Sequence, residues 1–328
     1  MNIKKAIALL SFAVLLTGIF SGCTNTANIS AQNARVAIIT KGSNSDFWND
    51  MKNGALSAAT EYNMDVTFEG PDNEEDAQAQ NQMIVSAVSK KVDALVLSAI
   101  DYEQNAPAVQ KAIDSGIKVI TVDSDVDVKG KELFIGTDNV AAGKKAGEQV
   151  VNLCKNKKSI RIGIVNYGAN TENGKQRLQG FTEYIRTIPN AKIVDTVNIA
   201  SNVESATAGA KQLLKKHKDI NILIGFNEWS TLGVGYAIAA MDAKDTVFGM
   251  GFDSNVHCVG MLETGELDTL IVQNPFSMGY LSVSKAAALL AGEKTDAVIE
   301  TDTYVVTREN MFSPDIQKVL FSFNEYPD

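Results

Sequence analysis

Histidine is nearly absent from this 328-residue chain, at two residues, and cysteine (three) and proline (six) are scarce. His217 sits in the run Lys215-Lys216-His217-Lys218 and reads as a solvated helix end; His257 reads as a helix-surface residue. No HExxH, CxxC or GxSxG occurs, so zinc-hydrolase, dithiol and serine-hydrolase chemistry have no support. A nucleotide-binding glycine loop is missing too. Gly233-Val234-Gly235 falls inside a helical stretch, and Gly249-Met250-Gly251 is followed by Ser254 where the third glycine would stand. Positive charge is in short supply, with 30 Lys and Arg against 39 Asp and Glu, a net charge of −9. That balance argues against nucleic acid as a partner. Beyond the N-terminus no apolar run is long enough to cross a membrane.

The one long apolar run lies at the start. Lys4 and Lys5 precede Ala6 to Phe20, then Ser21-Gly22-Cys23. This pattern predicts a secretory signal peptide over residues 1–22. Small residues before a lone cysteine resemble a bacterial lipobox, which predicts lipidation of Cys23, with Phe20 departing from the usual Leu. Residues 23–34 then read as lipid anchor and flexible polar tether. Residues 1–22 carry two lysines and no acid, so the mature chain is more acidic still, at −11. Cys154 and Cys258 remain, both in apolar helical contexts, and are expected to be free buried thiols.

The rest alternates strand and helix. Val36-Ala37-Ile38-Ile39 suits a buried parallel strand, and Phe47, Trp48, Met51, Leu56 and Ala59 follow at helical spacing. Further strands are expected at 64–68, 93–98, 118–123 and 133–136, with a helix from about Glu103 to Ser115 closed by Gly116. The pattern then restarts, with strands at 160–165, 220–226, 246–251 and 269–272 separated by helices. Two βαβα halves of similar length predict an α/β protein of two lobes with parallel sheets. The strand-to-helix loops collect Ser98 and Asp101, Asp123 and Ser124, Asp138 and Asn139, Asn227 and Glu228, and Asp253 and Asn255. Helix capping explains most of these singly. It does not explain why Phe47, Trp48, Trp229 and Phe252 gather in the same loops, at the strand ends where open parallel sheets bind ligands. A flat ring beside Asn44 and Ser45 suits a sugar, with its C–H face and hydroxyl rim; the same rings also suit the start of a buried helix face.

Several pieces together resemble one family: Asn44-Ser45-Asp46-Phe47-Trp48 with Met51-Lys52-Asn53-Gly54-Ala55, Val119-Ile120-Thr121-Val122-Asp123, Ile135-Gly136-Thr137-Asp138-Asn139, Gly180-Phe181, Phe226-Asn227-Glu228, Gly251-Phe252-Asp253, and Gln273. In order and spacing, from about Arg35 to Arg308, the chain resembles the substrate-binding proteins of bacterial sugar ABC transporters, in the ribose-, galactose- and xylose-binding branch of type I periplasmic binding proteins. The resemblance implies two Rossmann-like lobes, a three-crossing hinge and a ligand cleft between the lobes. Lobe one would comprise residues 35–137 plus 274–301, and lobe two 138–273 plus 302–328.

By resemblance, Phe47 and Trp48 sandwich a sugar ring, Asp123 accepts ring hydroxyls, Asn227, Asp253 and Gln273 bind hydroxyls from lobe two, and Phe252 faces the ring. Ser45 and Ser98 stand where ribose-type relatives carry Asn, Ser124 where they carry Arg, and Lys175 at a position usually held by Arg. The loss of two guanidinium forks argues against ribose itself. The implied function is an extracytoplasmic, membrane-anchored monomeric receptor for a neutral monosaccharide or polyol, without cofactor or metal and not an enzyme. Its implied partner is an ABC permease, or alternatively a membrane sensor, either a histidine kinase or a chemoreceptor. From another class, Asp123 and Asp253 could serve acid–base work on a glycoside. A sugar-responsive repressor would need a DNA-binding helix-turn-helix where the signal peptide stands.

Overall fold

The computed structural model describes residues 33–168 and 170–321; the signal sequence, Cys23 and nearly all of the tether lie outside them. The first lobe opens with β1 (Arg35–Ile39), α1 (Asp46–Tyr62), β2 (Asp65–Glu69), α2 (Ala77–Ser89), β3 (Ala94–Leu97), α3 (Ala106–Asp114), β4 (Lys118–Val122) and β5 (Leu133–Gly136). The second holds α4 (Asn139–Leu153), β6 (Ile160–Tyr167), α5 (Glu172–Arg186), β7 (Ala191–Ile199), α6 (Val203–Lys216), β8 (Ile222–Gly225), α7 (Glu228–Ala240), β9 (Phe248–Phe252), α8 (Val256–Thr264) and β10 (Thr269–Val272). The chain then returns: α9 (Pro275–Leu290) and β11 (Val298–Glu300) join the first lobe, and β12 (Tyr304–Val306) and α10 (Pro314–Leu320) the second.

The two sheets have matching strand orders, β11-β5-β4-β3-β1-β2 and β12-β10-β9-β8-β6-β7. β3 and β8 are buried at every residue, which is why they read as short apolar runs rather than alternations. The expectation of parallel sheets has one exception: β12 runs antiparallel on β10. Both sheets aim their carboxyl ends at the space between the lobes. A strand that leaves the first lobe and continues straight on enters the second from the cleft side, against the direction of its neighbours. One further difference is local. The third helix begins at Ala106, not Glu103, because Asp101 takes the backbone N–H groups of Glu103 and Gln104 and holds a turn there.

The second lobe has one continuous core, whereas the first has two layers, one under α1 and α9 and the other under α2 and α3. Cys154 and Cys258 are free thiols, both buried. Each lobe also contains a helix pair in backbone contact. A Cβ on Gly54 would stand 2.0 Å from the Phe276 carbonyl oxygen, and one on Gly279 1.9 Å from that of Met51. In the second lobe Gly143 and Gly180 meet the carbonyls of Arg177 and Val140 in the same way. The Gly54 and Gly180 pieces of the sequence pattern therefore serve helix packing, not the cleft. Gly54→Ala is expected to destabilise the protein by about 1–3 kcal/mol, the scale of an overpacked core. Gly260→Ala, in α8 with nothing within 4 Å of the new methyl group, should be neutral or slightly stabilising. Thermal melts of the two variants that coincide would contradict this packing.

Candidate functional site

In each sheet the strand order reverses beside the first strand of the lobe, between β1 and β3 and between β6 and β8. Loops leaving the carboxyl ends of such neighbours diverge and leave a crevice. Here the two crevices face one another across a cleft between the lobes. The walls carry Lys41, Ser45, Phe47, Trp48, Glu74 and Asp123 from the first lobe. Tyr167, Asn173, Arg177, Asn227, Glu228, Trp229 and Asp253 come from the second, with Gln273 at the crossing.

Two aspartates occupy equivalent places. Asp123 directly follows β4 and Asp253 directly follows β9, and both adopt left-handed backbone, φ 59° and 67°. The Asp123 N–H donates to the Ile135 carbonyl and the Asp253 N–H to that of Ile271, each at 2.9 Å. A side chain other than glycine pays strain for such a conformation, which concentrates at functional sites. The left-handed turn frees each carboxylate from helix capping and directs it into the cleft. Asn227, Asn255 and Asp138, by contrast, do cap: each accepts a backbone N–H of its own helix.

Asp123 is paired with Lys41 at 2.9 Å, and both are almost wholly buried (3% and 4% exposed). It also accepts from Ser98 Oγ at 2.9 Å and, across the cleft, from Asn173 Nδ2 at 3.0 Å. Burial alone would raise the Asp123 carboxyl. The charges of Lys41 and Arg177 and the bonds from Lys41 and Ser98 outweigh it and hold the group below the usual range. Burial would likewise lower Lys41, but Asp123, Tyr167 and Glu74 raise it, so the pair stays ionised at neutral pH. Asp253 accepts from Gln273 Nε2 at 2.5 Å, with Arg177 Nη1 3.9 Å away. Burial dominates there and the Asp253 carboxyl is raised, Arg177 and Gln273 offsetting only part.

Arg177 is fully buried. Its Nε donates to Asn139 Oδ1 and its Nη1 to the Phe226 carbonyl, each at 2.8 Å, and its guanidinium lies 4.8 Å from the centre of the Phe252 ring. Nη2 has no hydrogen-bond partner among the described residues. Glu228, buried at the start of α7, accepts from Asn255 Nδ2 through Oε1 at 2.8 Å, while Oε2 is unpartnered among the described residues. An unpaired buried donor and an unpaired buried acceptor in one cleft suit a ligand that donates and accepts hydrogen bonds, as hydroxyls do. Phe47 and Trp48 add an apolar corner, their rings 4.9 Å apart and nearly perpendicular.

Of the residues singled out from sequence, Ser45, Phe47, Trp48, Asp123, Asn227, Asp253 and Gln273 line the cleft. Ser98 stands behind Asp123, and Phe252 lies beneath Arg177 with no exposure. Gln273 also accepts from Thr137 Oγ1 at 3.0 Å, joining two of the chain crossings. Asn44 is exposed on the loop and does not line the cleft. The placement of Lys175 departs from its expected role. It is exposed, with its ammonium over the Tyr102 ring at the rim. Asn173 and Arg177 stand four apart on α5 and share its inward face, which turns a residue between them outward. The buried cation is Arg177, which sequence reading missed along with Lys41, Glu74, Tyr167 and Asn173; Glu228 was noted at a strand-end loop but given no part in the site. The Asn173–Arg177 spacing was the one available signal. Among the described residues no cluster of His, Cys, Asp and Glu is arranged for a metal ion, and no helix is long and apolar enough to cross a membrane.

A family model described as a periplasmic binding protein domain matches residues 36–294. The D-ribose/D-allose-binding protein of Pseudomonas aeruginosa is 26% identical, with 90% of this chain and 97% of the relative covered. A carbohydrate transporter solute-binding protein from Agrobacterium radiobacter, solved in complex with D-arabinose, matches with a TM-score of 0.86 at 28% identity, covering 88% of this chain and 99% of that one. An ABC transporter solute-binding protein from Agrobacterium vitis with bound D-fucose matches with a TM-score of 0.84 at 31% identity, covering 88% and 100%.

Proposed function

This chain belongs to the periplasmic binding protein family, and from that premise we propose that it is an extracytoplasmic receptor that closes on a neutral monosaccharide or polyol and delivers it to an ABC permease. The observation that carries the reading is the convergence of Asp123 and Asp253, one from each lobe and each held in left-handed backbone, on one cleft beside an aromatic corner. Ionised carboxylates accept sugar hydroxyls through charge-assisted bonds, and aromatic rings cover the C–H face. The similarity to proteins named for D-ribose, D-allose, D-arabinose and D-fucose supports the same class of ligand. Charge favours a neutral one. Four carboxylates line the cleft against two cations, and both cations already face an aspartate.

In this reading Ser45, Phe47, Trp48, Asp123, Asn227 and Asp253 touch the sugar, with Lys41, Arg177 and Glu228 beside them. Gln273 lines the cleft and donates to Asp253, and Ser98 and Phe252 support these groups from behind. The lobes are residues 35–137 plus 274–301 and 138–273 plus 302–321, and Cys23 anchors a monomer to the membrane by lipid. The cleft binds without catalysis, since its aspartates are committed to protein partners that fix them as acceptors. Calorimetry against pentoses, hexoses, polyols and sugar acids tests this reading. A neutral sugar should bind tightly and a sugar acid weakly. Small-angle scattering should show a smaller radius of gyration with saturating sugar than without. Binding confined to sugar acids, or an unchanged radius at saturation, would refute it.

A further inference from the structure

The chain crosses between lobes from the β11–β5 end of one sheet and the β12–β10 end of the other, and β2 and β7 stand at the opposite ends. The mouth of the cleft therefore lies between the loops that follow β2 and β3 in the first lobe and β6 and β7 in the second. The lobes meet there at two bridges. Ser201 N donates to Glu75 Oε1 at 3.3 Å. Tyr102 N donates to the Asn170 carbonyl at 3.2 Å, with the Lys175 ammonium over the Tyr102 ring. Between these bridges the loops stand apart around a chamber walled by both lobes, with Glu75, Ile100 and Gln104 on one side and Asn170, Asn198 and Ile199 on the other. Glu74 lines both this chamber and the cleft, so the two spaces meet at its side chain, which Trp48 Nε1 holds by a bond of 2.8 Å. We propose that the chamber is a second sugar subsite: the cleft encloses one ring, and a second neutral ring joined to it occupies the gap between the bridges, so that the protein takes a disaccharide while the lobes stay shut. This deepens the reading of the cleft as a sugar site and rests on it.

The lining fits a neutral ring. The acids Glu74, Glu75 and Asp101 line the chamber, and no Lys, Arg or His does so among the described residues. A sugar acid or a phosphate ester would meet carboxylates there without a counter-charge, whereas hydroxyls donate to carboxylates and exchange bonds with amides. Ala77, Ile100 and Ile199 supply apolar surface for C–H groups. The amides are held in place. Asp101 accepts the Gln104 backbone N–H at 2.9 Å and its Nε2 at 2.7 Å. In the second lobe Asn198 Oδ1 accepts from Asn166 Nδ2 at 2.9 Å, across the β6–β7 pairing. Asn166 is buried, and its own Oδ1 has no partner among the described residues, so an acceptor stands unpaired behind the chamber wall. Both bridges use a backbone N–H, so the gap between them is set by the path of the loops.

Calorimetry on the wild-type chain tests this by comparing maltose, cellobiose, lactose, melibiose, gentiobiose and xylobiose with their component monosaccharides. At least one disaccharide should bind about tenfold or more tighter than its components, the effect of one or two added hydrogen bonds. Two variants then place the second ring. Gln104→Trp fills the chamber from an exposed loop position. It should weaken that disaccharide about tenfold or more and leave the components within about threefold of wild type, since the new indole blocks only the outer ring. Asn198→Ala removes one amide and should weaken the disaccharide about three- to tenfold, again sparing the components. Thermal melts matching wild type establish that the variants fold. Disaccharides that all bind no tighter than their components overturn the proposal. So does an equal loss of disaccharide and component in the variants, or a disaccharide untouched by either substitution. If monosaccharides bind and disaccharides do not, the second subsite falls and the sugar reading of the cleft stands. If no sugar binds, both fall.

Discussion

Asp123→Ala is expected to abolish sugar binding and to lower stability by about 3–5 kcal/mol, the scale of breaking one side of a buried ion pair. The carboxylate neutralises Lys41, whose ammonium is almost wholly buried, and receives Ser98 and Asn173 as well. Its removal leaves a buried cation without a counter-charge and two donors without their acceptor. The bond to Asn173 crosses the cleft, so closure is impaired along with affinity. A double replacement separates the two effects. Lys41→Met with Asp123→Leu removes both charges and should recover much of the thermal stability, because apolar pairs of similar volume often substitute for buried ions. Binding should stay lost, since the acceptor of sugar hydroxyls is gone. Calorimetry showing Asp123→Ala within threefold of wild-type affinity would refute its role in the cleft. A double variant less stable than the single one would refute the account of Lys41.

Affinity should fall as pH rises from about 5 to 8. The Glu228 carboxyl is pushed up to about 7 from an ordinary 4.5, first by burial and then by the charge of Asp253 and, more weakly, of Asp46. Asn255 and, across the cleft, Ser45 favour its charged form without overcoming these effects. Glu228 belongs to the second lobe, and Ser45 and Asp46 reach it from the first, so opening the cleft readmits water and returns it towards its ordinary range. Closure then takes up a proton between the two values. The sign follows: below about 4.5 the group is protonated in both forms and carries no penalty, and above about 7 the closed form must hold a buried charge. At 1.36 kcal/mol per pH unit the whole interval amounts to at most about 3 kcal/mol, and less if the open cleft remains partly shielded. Asp253 and Glu74, also raised by burial, act in the same direction. Asp123, held low, contributes nothing in this window. Glu228→Gln should flatten the profile between pH 5 and 8 and keep wild-type low-pH affinity. A wild-type affinity that is constant or rises with pH would rule out proton uptake at Glu228.

Much of this molecule is legible in its residue order. Short apolar runs such as Ala94–Leu97 and Ile222–Gly225 could only be strands buried on both faces, and their alternation with helical spacing dictated two α/β lobes. The strand-end loops already held Phe47, Trp48, Asp123, Asn227 and Asp253, because the ligand edge of a parallel sheet follows from chain direction. These are local properties, carried by short continuous apolar runs and by a helical period of 3.6 residues. Tertiary structure decided the rest. The phase of α5 turned Arg177 inward and Lys175 outward, and no single position in the sequence shows that phase without knowing which face meets the cleft. Phe252, expected in the loop with Asp253, ends β9 and lies beneath Arg177, where its ring supports the guanidinium. Glu74 meets Trp48 from 26 residues further along the chain, and Asn173 meets Asp123 from 50. The first pair is set by packing within one lobe and the second by how the two lobes come together, and neither leaves a periodic trace in the sequence.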